Sequence, residues 1–459
     1  MPTVYVGCGA GFADERPDAC IPVVETLARR DGPRYLIFET LGERTLALAQ
    51  LDRRRDPAAG FTPATAAFLR PILRRCREAG IRIVANFGAA NALGAGRLIR
   101  SLAEELGLPD FKVGVVEGDN LLEYVPEDEI RSWTIIEGIA LAGEPIIAAN
   151  VYLGAAPVAE ALRRGAEVVV LGRCADSALV LGPLVHEFGW PADAWDLLAA
   201  GTLAGHLLEC SAQLSGGYFA DPGYKDVPDL ARVGFPIAEV SADGSMVVTK
   251  ADDTGGLVSP RTVKEQILYE ISDPTSYLVP DVTLDIAGVE IDQIAPNRVR
   301  VSGARGRPRP PTLKVTISTE GGWLGEGEIS YGGPNALARA ELAAAVLRER
   351  LRIVGHVQPA RVDIVGTVST FDSLSGDLRT AGSFAPDGDY RVRMAGAAPD
   401  RAGAERIANE VIGLYSTGPG GGGGVRKSVV GRVRTMSALV ERSLVDIRVR
   451  ILPEDDHGR

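Results

Sequence analysis

The stretch IRIVANFGAANALGAGRLIRSLAEEL, residues 81–106, sets the reading of the fold. A short apolar run, Ile81 to Ala85, stops at Asn86-Phe87-Gly88-Ala89, and a helical pattern follows from Ala92 to Leu106. A strand of that length ending in small and polar residues just before a helix is one βα unit. The same unit recurs upstream. Thr3 to Val6 runs into Gly7-Cys8-Gly9-Ala10-Gly11, with a helix expected from near Pro17 through Leu27. Tyr35 to Phe38 ends at Glu39-Thr40, before a helix from Glu43 to Arg55 striped by Leu46, Leu48, Ala49 and Leu51. A further helix is expected over Pro63 to Ala79. Downstream, Phe111 to Val116 ends at Glu117-Gly118-Asp119, Ile146 to Ala149 at Asn150, and Glu167 to Leu171 at Gly172-Arg173-Cys174-Ala175-Asp176.

This rhythm predicts an α/β protein whose N-terminal part consists of parallel βα units, the sheet either open or barrel-like. In both cases ligands bind outside the carboxyl ends of the strands, where loop amides and helix amino termini point. Glu39, Asn86, Glu117, Asp119, Asn150, Arg173 and Asp176 are therefore candidate substrate-binding residues on one rim. After Asp226 the pattern shifts to strand alternation with fewer helices, so residues 1–230 are read as the parallel α/β domain. Residues 231–452 are read as an α+β domain with a glycine-rich loop, and 453–459 as a charged tail.

At 459 residues the chain exceeds one ordinary core, and its 46% apolar, 24% charged composition is that of a globular protein. A net charge of −11 argues against nucleic acid as a partner. Five scattered cysteines without a CxxC pair fit neither a disulfide framework nor a structural zinc site. The amino terminus lacks a basic leader, and the longest weakly charged stretch, Pro145 to Val158, is interrupted by Asn150, Gly154 and Pro157. A cytoplasmic protein without a membrane span is expected.

The stretch from Gly201 to Asp226, GTLAGHLLECSAQLSGGYFADPGYKD, concentrates the most side-chain chemistry. His206 and Glu209 share a helical face and can act as an acid/base pair; a buried structural histidine is the plain alternative. Asp221 and Lys225 lie in loop, where charge is less often explained by packing, and form a second candidate catalytic pair; a surface ion pair is the plain alternative. Tyr218 and Tyr224 are candidate substrate contacts. Two ligands do not make a metal site, and no metal is expected. Gly7 to Gly11 departs from the dinucleotide fingerprint because Phe12 stands where GxGxxG needs glycine, so Gly9 and Gly11 are read either as a close approach to an anionic ligand or as a tight turn. The run Gly420, Gly421, Gly422, Gly423 and Gly424, followed by Arg426 and Lys427, can cradle a phosphate or carboxylate, or serve as a flexible connector. Cys8 and Cys210 have no activating neighbour in sequence and read as small buried residues.

Several ordered motifs carry a family resemblance: VGCGAGFADERPDA (6–19), IVANFGAAN (83–91), VVEGDN (115–120), ANVYLGA (149–155), GRCADSALVLGPLVHEFGW (172–190), the stretch from Gly201 through Leu230, GEGEISYGGPNALARAELA (325–343) and NEVIGLYSTGPGGGGGVRKSV (409–429). From about Val4 to Ser428 the chain resembles the acyclic terpene utilisation, or AtuA-like, family. The resemblance implies a cytoplasmic protein associated with breakdown of citronellol- and geraniol-type acids as coenzyme A thioesters. It also implies a C-terminal ferredoxin-like domain in longer members, which here is either absent or supplied by a small partner subunit.

The expected function is an enzyme acting on an acyl thioester or carboxylic acid by a hydratase, dehydratase or other lyase step, with no tightly bound cofactor and a substrate in the coenzyme A thioester class. A ligand-binding or scaffold subunit that needs a partner is the alternative, and a nucleotide-dependent oxidoreductase a third. A homo-oligomer is among the expected assemblies.

Overall fold

The computed structural model describes residues 3–138, 141 and 143–453; the tail beyond Pro453, with His457, lies outside the described residues. The chain forms two compact units, residues 1–318 with 435–459 and an inserted unit, 319–434.

The first unit is built on an open ten-stranded sheet. Its centre is parallel: β1 (Thr3–Ala10), β2 (Arg34–Phe38), β3 (Ile81–Ala85), β4 (Val113–Glu117) and β6 (Val168–Leu171), in the order β1-β2-β3-β6-β4. These strands are apolar almost throughout because both faces are covered. Leu36, Ile83 and Val168 pack into one core cluster, while Ile37, Val84 and Val169, one residue on, pack into another. Asn91 starts the helix Ala92–Glu105 by accepting the Gly94 N–H at 2.9 Å. The single helix expected over Pro63 to Ala79 is instead two, Thr65–Leu69 and Leu73–Glu78, because Pro71 lies between them and cannot continue the hydrogen-bond ladder.

The domain boundary expected near residue 230 falls inside this unit. The change of pattern there marks a change of strand direction within one sheet. β7 (Pro236–Ser241), β8 (Met246–Lys250), β11 (Glu290–Ala295) and β12 (Arg298–Ser302) extend it antiparallel from β1 in the order β11-β12-β8-β7-β1. At the other edge β18 (Arg448–Leu452) pairs antiparallel with β4. β5 (Ile146–Val151), expected as a member of the parallel set, lies outside that sheet and pairs with β14 (Thr312–Gly332). β9 (Tyr277–Leu278), β10 (Thr283–Asp285) and β13 (Arg305–Arg307) form a small separate sheet.

The inserted unit runs β14, helix Ala336–Ile353, β15 (Ala360–Val365), β16 (Asp389–Ala398), helix Arg401–Thr417 and β17 (Gly423–Glu441), its boundaries falling inside β14 and β17. A βαββαβ chain with strand order β15-β16-β14-β17 is the ferredoxin-like, split-βαβ topology. Alternation sets its two faces: Ile329, Tyr331, Val392 and Met394 join the helices in one core. Glu326, Glu328, Arg391 and Arg393 are paired with one another off that core, Arg393 with Glu326 at 2.9 Å and Arg391 with Glu328 at 3.2 Å. Among the described residues no helix is long and apolar enough to cross a membrane.

In this unit Gly325 lets helix Arg401–Thr417 approach β14, since a Cβ there would stand 1.9 Å from the Ala404 carbonyl oxygen. Gly325→Ala is expected to destabilise the protein by about 1–3 kcal/mol in urea denaturation. Gly420→Ala, with nothing within 4 Å of its added Cβ, should stay within about 0.5 kcal/mol of the parent. Equal effects would refute this account of the helix–sheet contact.

Candidate active site

Three ends of the parallel strands, the end of β5 and two later segments line a cavity of about 550 Å³. Gly11 and Phe12 follow β1, Glu39 follows β2, Tyr152 follows β5, and Arg173 and Asp176 follow β6. The end of helix Trp195–Leu208 contributes Glu209 through Gln213, and the loop after helix Pro260–Leu268 contributes Tyr269 and Glu270. Gly11 is needed for this closure. A Cβ there would meet the Ser211 nitrogen at 2.6 Å and the Glu209 carbonyl oxygen at 2.7 Å, so the close approach is to the chain itself.

Arg173 is the fixed point of the site. Its side chain is buried, and Nε donates to the Cys174 carbonyl at 2.9 Å, Nη1 to the Leu41 carbonyl and Nη2 to Asp176 Oδ1. The guanidinium also lies over the Tyr152 ring, 4.7 Å from its centroid. Burial opposes its charge, but Asp176 and the electron-rich neighbours more than compensate, so Arg173 stays cationic. Asp176 is raised by burial against the pull of Arg173.

Glu39 is held on one side only. Oε1 accepts from Asn86 Nδ2 at 2.8 Å and from the Leu41 N–H at 2.9 Å, while Asn86 Oδ1 takes the Thr40 N–H at 2.7 Å and so fixes the amide's orientation. With Oε1 occupied by two donors, a proton on this carboxyl belongs on Oε2, which is left to the cavity. Burial, then the neighbouring Asp176 charge, push the group up to about 8 despite Arg173.

His206 and Glu209 form the second proton-holding group. His206 Nε2 faces the Ile267 carbonyl at 3.3 Å and Nδ1 faces Glu209 Oε1 at 2.9 Å. A carbonyl can only accept, so Nε2 carries a hydrogen, and the Nδ1–Oε1 contact then needs one shared proton. Burial pushes Glu209 up to about 7, His206 opposing and Asp176 and Glu270 adding to the rise. Burial disfavours the imidazolium, yet the Glu209 carboxylate and its hydrogen bond hold His206 above its ordinary value.

Of the residues singled out from sequence, Glu39, Arg173, Asp176, Glu209, Tyr218 and Gly11 line this cavity. His206 and Asn86 stand directly behind Glu209 and Glu39. Asp119 and Asn150 are buried scaffold: Asp119 Oδ2 accepts the Arg173 backbone N–H at 2.9 Å and Asn150 Nδ2 at 2.8 Å, and burial raises it to about 6. Glu117 pairs with Arg450 at 2.6 Å, across to β18. Asp221 and Lys225 close a tight turn through their backbones, with Lys225 bound to Glu265 and its ammonium over the Phe219 ring. Neither they nor the 80% exposed Tyr224 reach the cavity. Gly9 packs under the Phe38 ring, 2.6 Å from where a Cβ would stand.

The loop from Gly420 to Gly424 belongs to the inserted unit and turns one carbonyl toward a cation. Arg339 donates to the Gly420 oxygen at 2.9 Å and, with its other nitrogen, to Gly332 and Pro334. Lys427 donates to Asn409 at 3.2 Å, and Arg426 is exposed. Burial pushes the Cys8 and Cys210 thiols up, which makes both poor nucleophiles.

Sequence reasoning missed Glu15, Glu43, Tyr152, Tyr269 and Glu270, all on the cavity wall. Of these only Glu270 carries a backbone signal, a φ of 60° that it shares with Tyr218 at 60° and Ser211 at 46° on the same wall, a left-handed conformation that non-glycine residues seldom adopt. Among the described residues no group of three or more His, Cys, Asp or Glu side chains is arranged to hold a metal ion.

The raised Glu39 has a thermodynamic consequence. Its folded-state value lies above that of an exposed glutamate, so the native protein binds more protons than the unfolded chain between about 4.5 and 8. Stability is complete below that window and is lost as pH rises through it. Glu39→Gln, which mimics the protonated acid, should therefore match the parent at pH 4.5 and exceed it at pH 8.5 by at least ~1 kcal/mol in chemical denaturation. Parallel pH profiles for the two proteins would show Glu39 to be an ordinary carboxylate.

None of the curated proteins searched matches the chain. A family model described as acyclic terpene utilisation family protein AtuA matches residues 4–451, nearly the whole chain, including the strand ends and loops that build the cavity. The chain belongs to the acyclic terpene utilisation family AtuA.

Proposed function

We propose that the cavity carries out acid–base addition of water to, or its removal from, an unsaturated segment of an acyclic terpenoid acid or its thioester. The observation that carries this reading is the pair of carboxyl groups, Glu39 and Glu209, on separate elements of one cavity wall, each tied back through one oxygen and each with its affinity for a proton raised. Two groups that trade protons near neutrality are what hydration and dehydration require.

In the hydration direction Glu39 Oε2 gives its proton to one alkene carbon, so a C–H bond forms as the π bond breaks. The positive charge on the other carbon is stabilised by Asp176 and by the rings of Tyr218 and Tyr269. Water attacks that carbon. With the shared proton on His206, Glu209 is a carboxylate and takes the proton water loses. Exchange with solvent then returns Glu209 and Glu39 to their starting states.

The charge of the wall supports an uncharged reacting segment. Glu15, Glu39, Glu43, Asp176, Glu209 and Glu270 line the cavity against a single cation, Arg173, which is already satisfied. The carboxylate or phosphate end of a substrate belongs outside it.

Incubation of the purified protein with unsaturated acyclic terpenoid acids and their coenzyme A thioesters in ¹⁸O-labelled water should yield products carrying one ¹⁸O, read by mass spectrometry. Glu39→Gln should lower turnover by roughly 10²–10⁴-fold. Turnover of the parent protein should fall as pH rises through about 8, where Glu39 loses its proton. Absence of label from every substrate, or full activity in Glu39→Gln, would refute the proposal.

A further inference from the structure

A second compartment of about 290 Å³ adjoins the acidic cavity. The two share four wall residues, Gln213, Gly217, Tyr218 and Tyr269, so they are parts of one elongated depression. The chemistry changes along it. Beyond Tyr218 and Tyr269 the wall consists largely of Phe219, Leu268 and the two tyrosine rings, and the one carboxylate, Glu265, is neutralised by Lys225. Phe219 is held in place, with Lys225 and Arg261 over its ring at 4.9 and 5.6 Å.

Phe219 is buried, but two of its neighbours are left uncovered. Tyr218 is 91% and Leu268 59% exposed, and Tyr218 is presented on a left-handed backbone that costs energy to maintain. Large apolar side chains held outward around a concave wall mark a binding surface. We infer that this compartment is the subsite for the apolar chain of the molecule whose unsaturated end reacts in the acidic cavity. The inference rests on the proposed function for the identity of that molecule. Continuity of the two walls selects the occupant: a ligand with a neutral end among the carboxyls and a hydrocarbon chain meets Phe219 and Leu268 directly beyond Tyr218 and Tyr269.

The test is direct binding of 1-alkanols from butanol to decanol, measured by calorimetry, with folding of each variant checked by circular dichroism. Affinity should rise about fourfold per added methylene until the compartment is full and then level off. Leu268→Trp, which narrows the compartment from an exposed position, should move that plateau to shorter chains. Affinities independent of chain length, or a plateau unmoved in Leu268→Trp, would overturn the assignment and leave these side chains as the seat of another protein segment. Because the readout is binding without turnover, failure of the hydration reading leaves a chain-length series intact, and failure of the series leaves the ¹⁸O result intact.

Discussion

The site depends on one buried charge. A guanidinium taken out of water is strongly unfavourable unless its donors are satisfied and an opposite charge lies beside it. Arg173 meets that requirement with the carbonyls of Leu41 and Cys174, the Asp176 carboxylate and the Tyr152 ring. Those partners follow β2, β5 and β6, so satisfying one side chain fixes the relative positions of three strand ends. Asp119 holds the Arg173 backbone from below, at a point where glycine is required: a Cβ on Gly172 would stand 2.6 Å from an Asp119 oxygen.

From this fixed point the acidities of the other groups follow. Burial raises Asp176 against the pull of Arg173, and the charge on Asp176, added to burial, makes it harder for Glu39 and Glu209 to ionise. Asn86 and His206 then decide where the protons sit, the first by occupying one oxygen of Glu39, the second by sharing a proton with Glu209. Carboxyl groups that look alike in sequence thus come to differ in how they hold a proton through their surroundings alone.

Close backbone approach is the second recurring device. Gly11 and Gly172 bring backbone against backbone or carboxylate around the site, and Gly325 does so between β14 and its helix in the inserted unit. The glycine-rich run after Gly418 obeys the same logic in a different setting: Arg339 donates to the Gly420 carbonyl, and Gly421, at a φ of 78°, leaves room for the guanidinium, which a Cβ there would meet at 2.6 Å. The ferredoxin-like topology lies within this chain, between residues 319 and 434.

The parallel strands and their polar ends were legible from sequence because hydrophobic periodicity is local: Ile81 to Ala85 has only one way to be buried on both faces. Glu39, Arg173 and Asp176 could be placed on one rim for that reason, and His206 beside Glu209 because three residues span about one helical turn. The division of the chain was not legible, since β7 and β8 change strand direction without leaving the sheet, and a direction change looks like a domain change in a linear pattern. Nor could local pattern separate Asp119, Asn86 and Asn150, which sit beneath the wall, from the groups that form it. Glu270 joins Glu39 across more than two hundred residues, and Asp221 and Lys225 turn away although they are near Glu209 in the chain. Sequence determined which residues stand at strand ends; only the tertiary structure decided which of them share a cavity and which carry protons, because burial and neighbouring charge are properties of the assembled site.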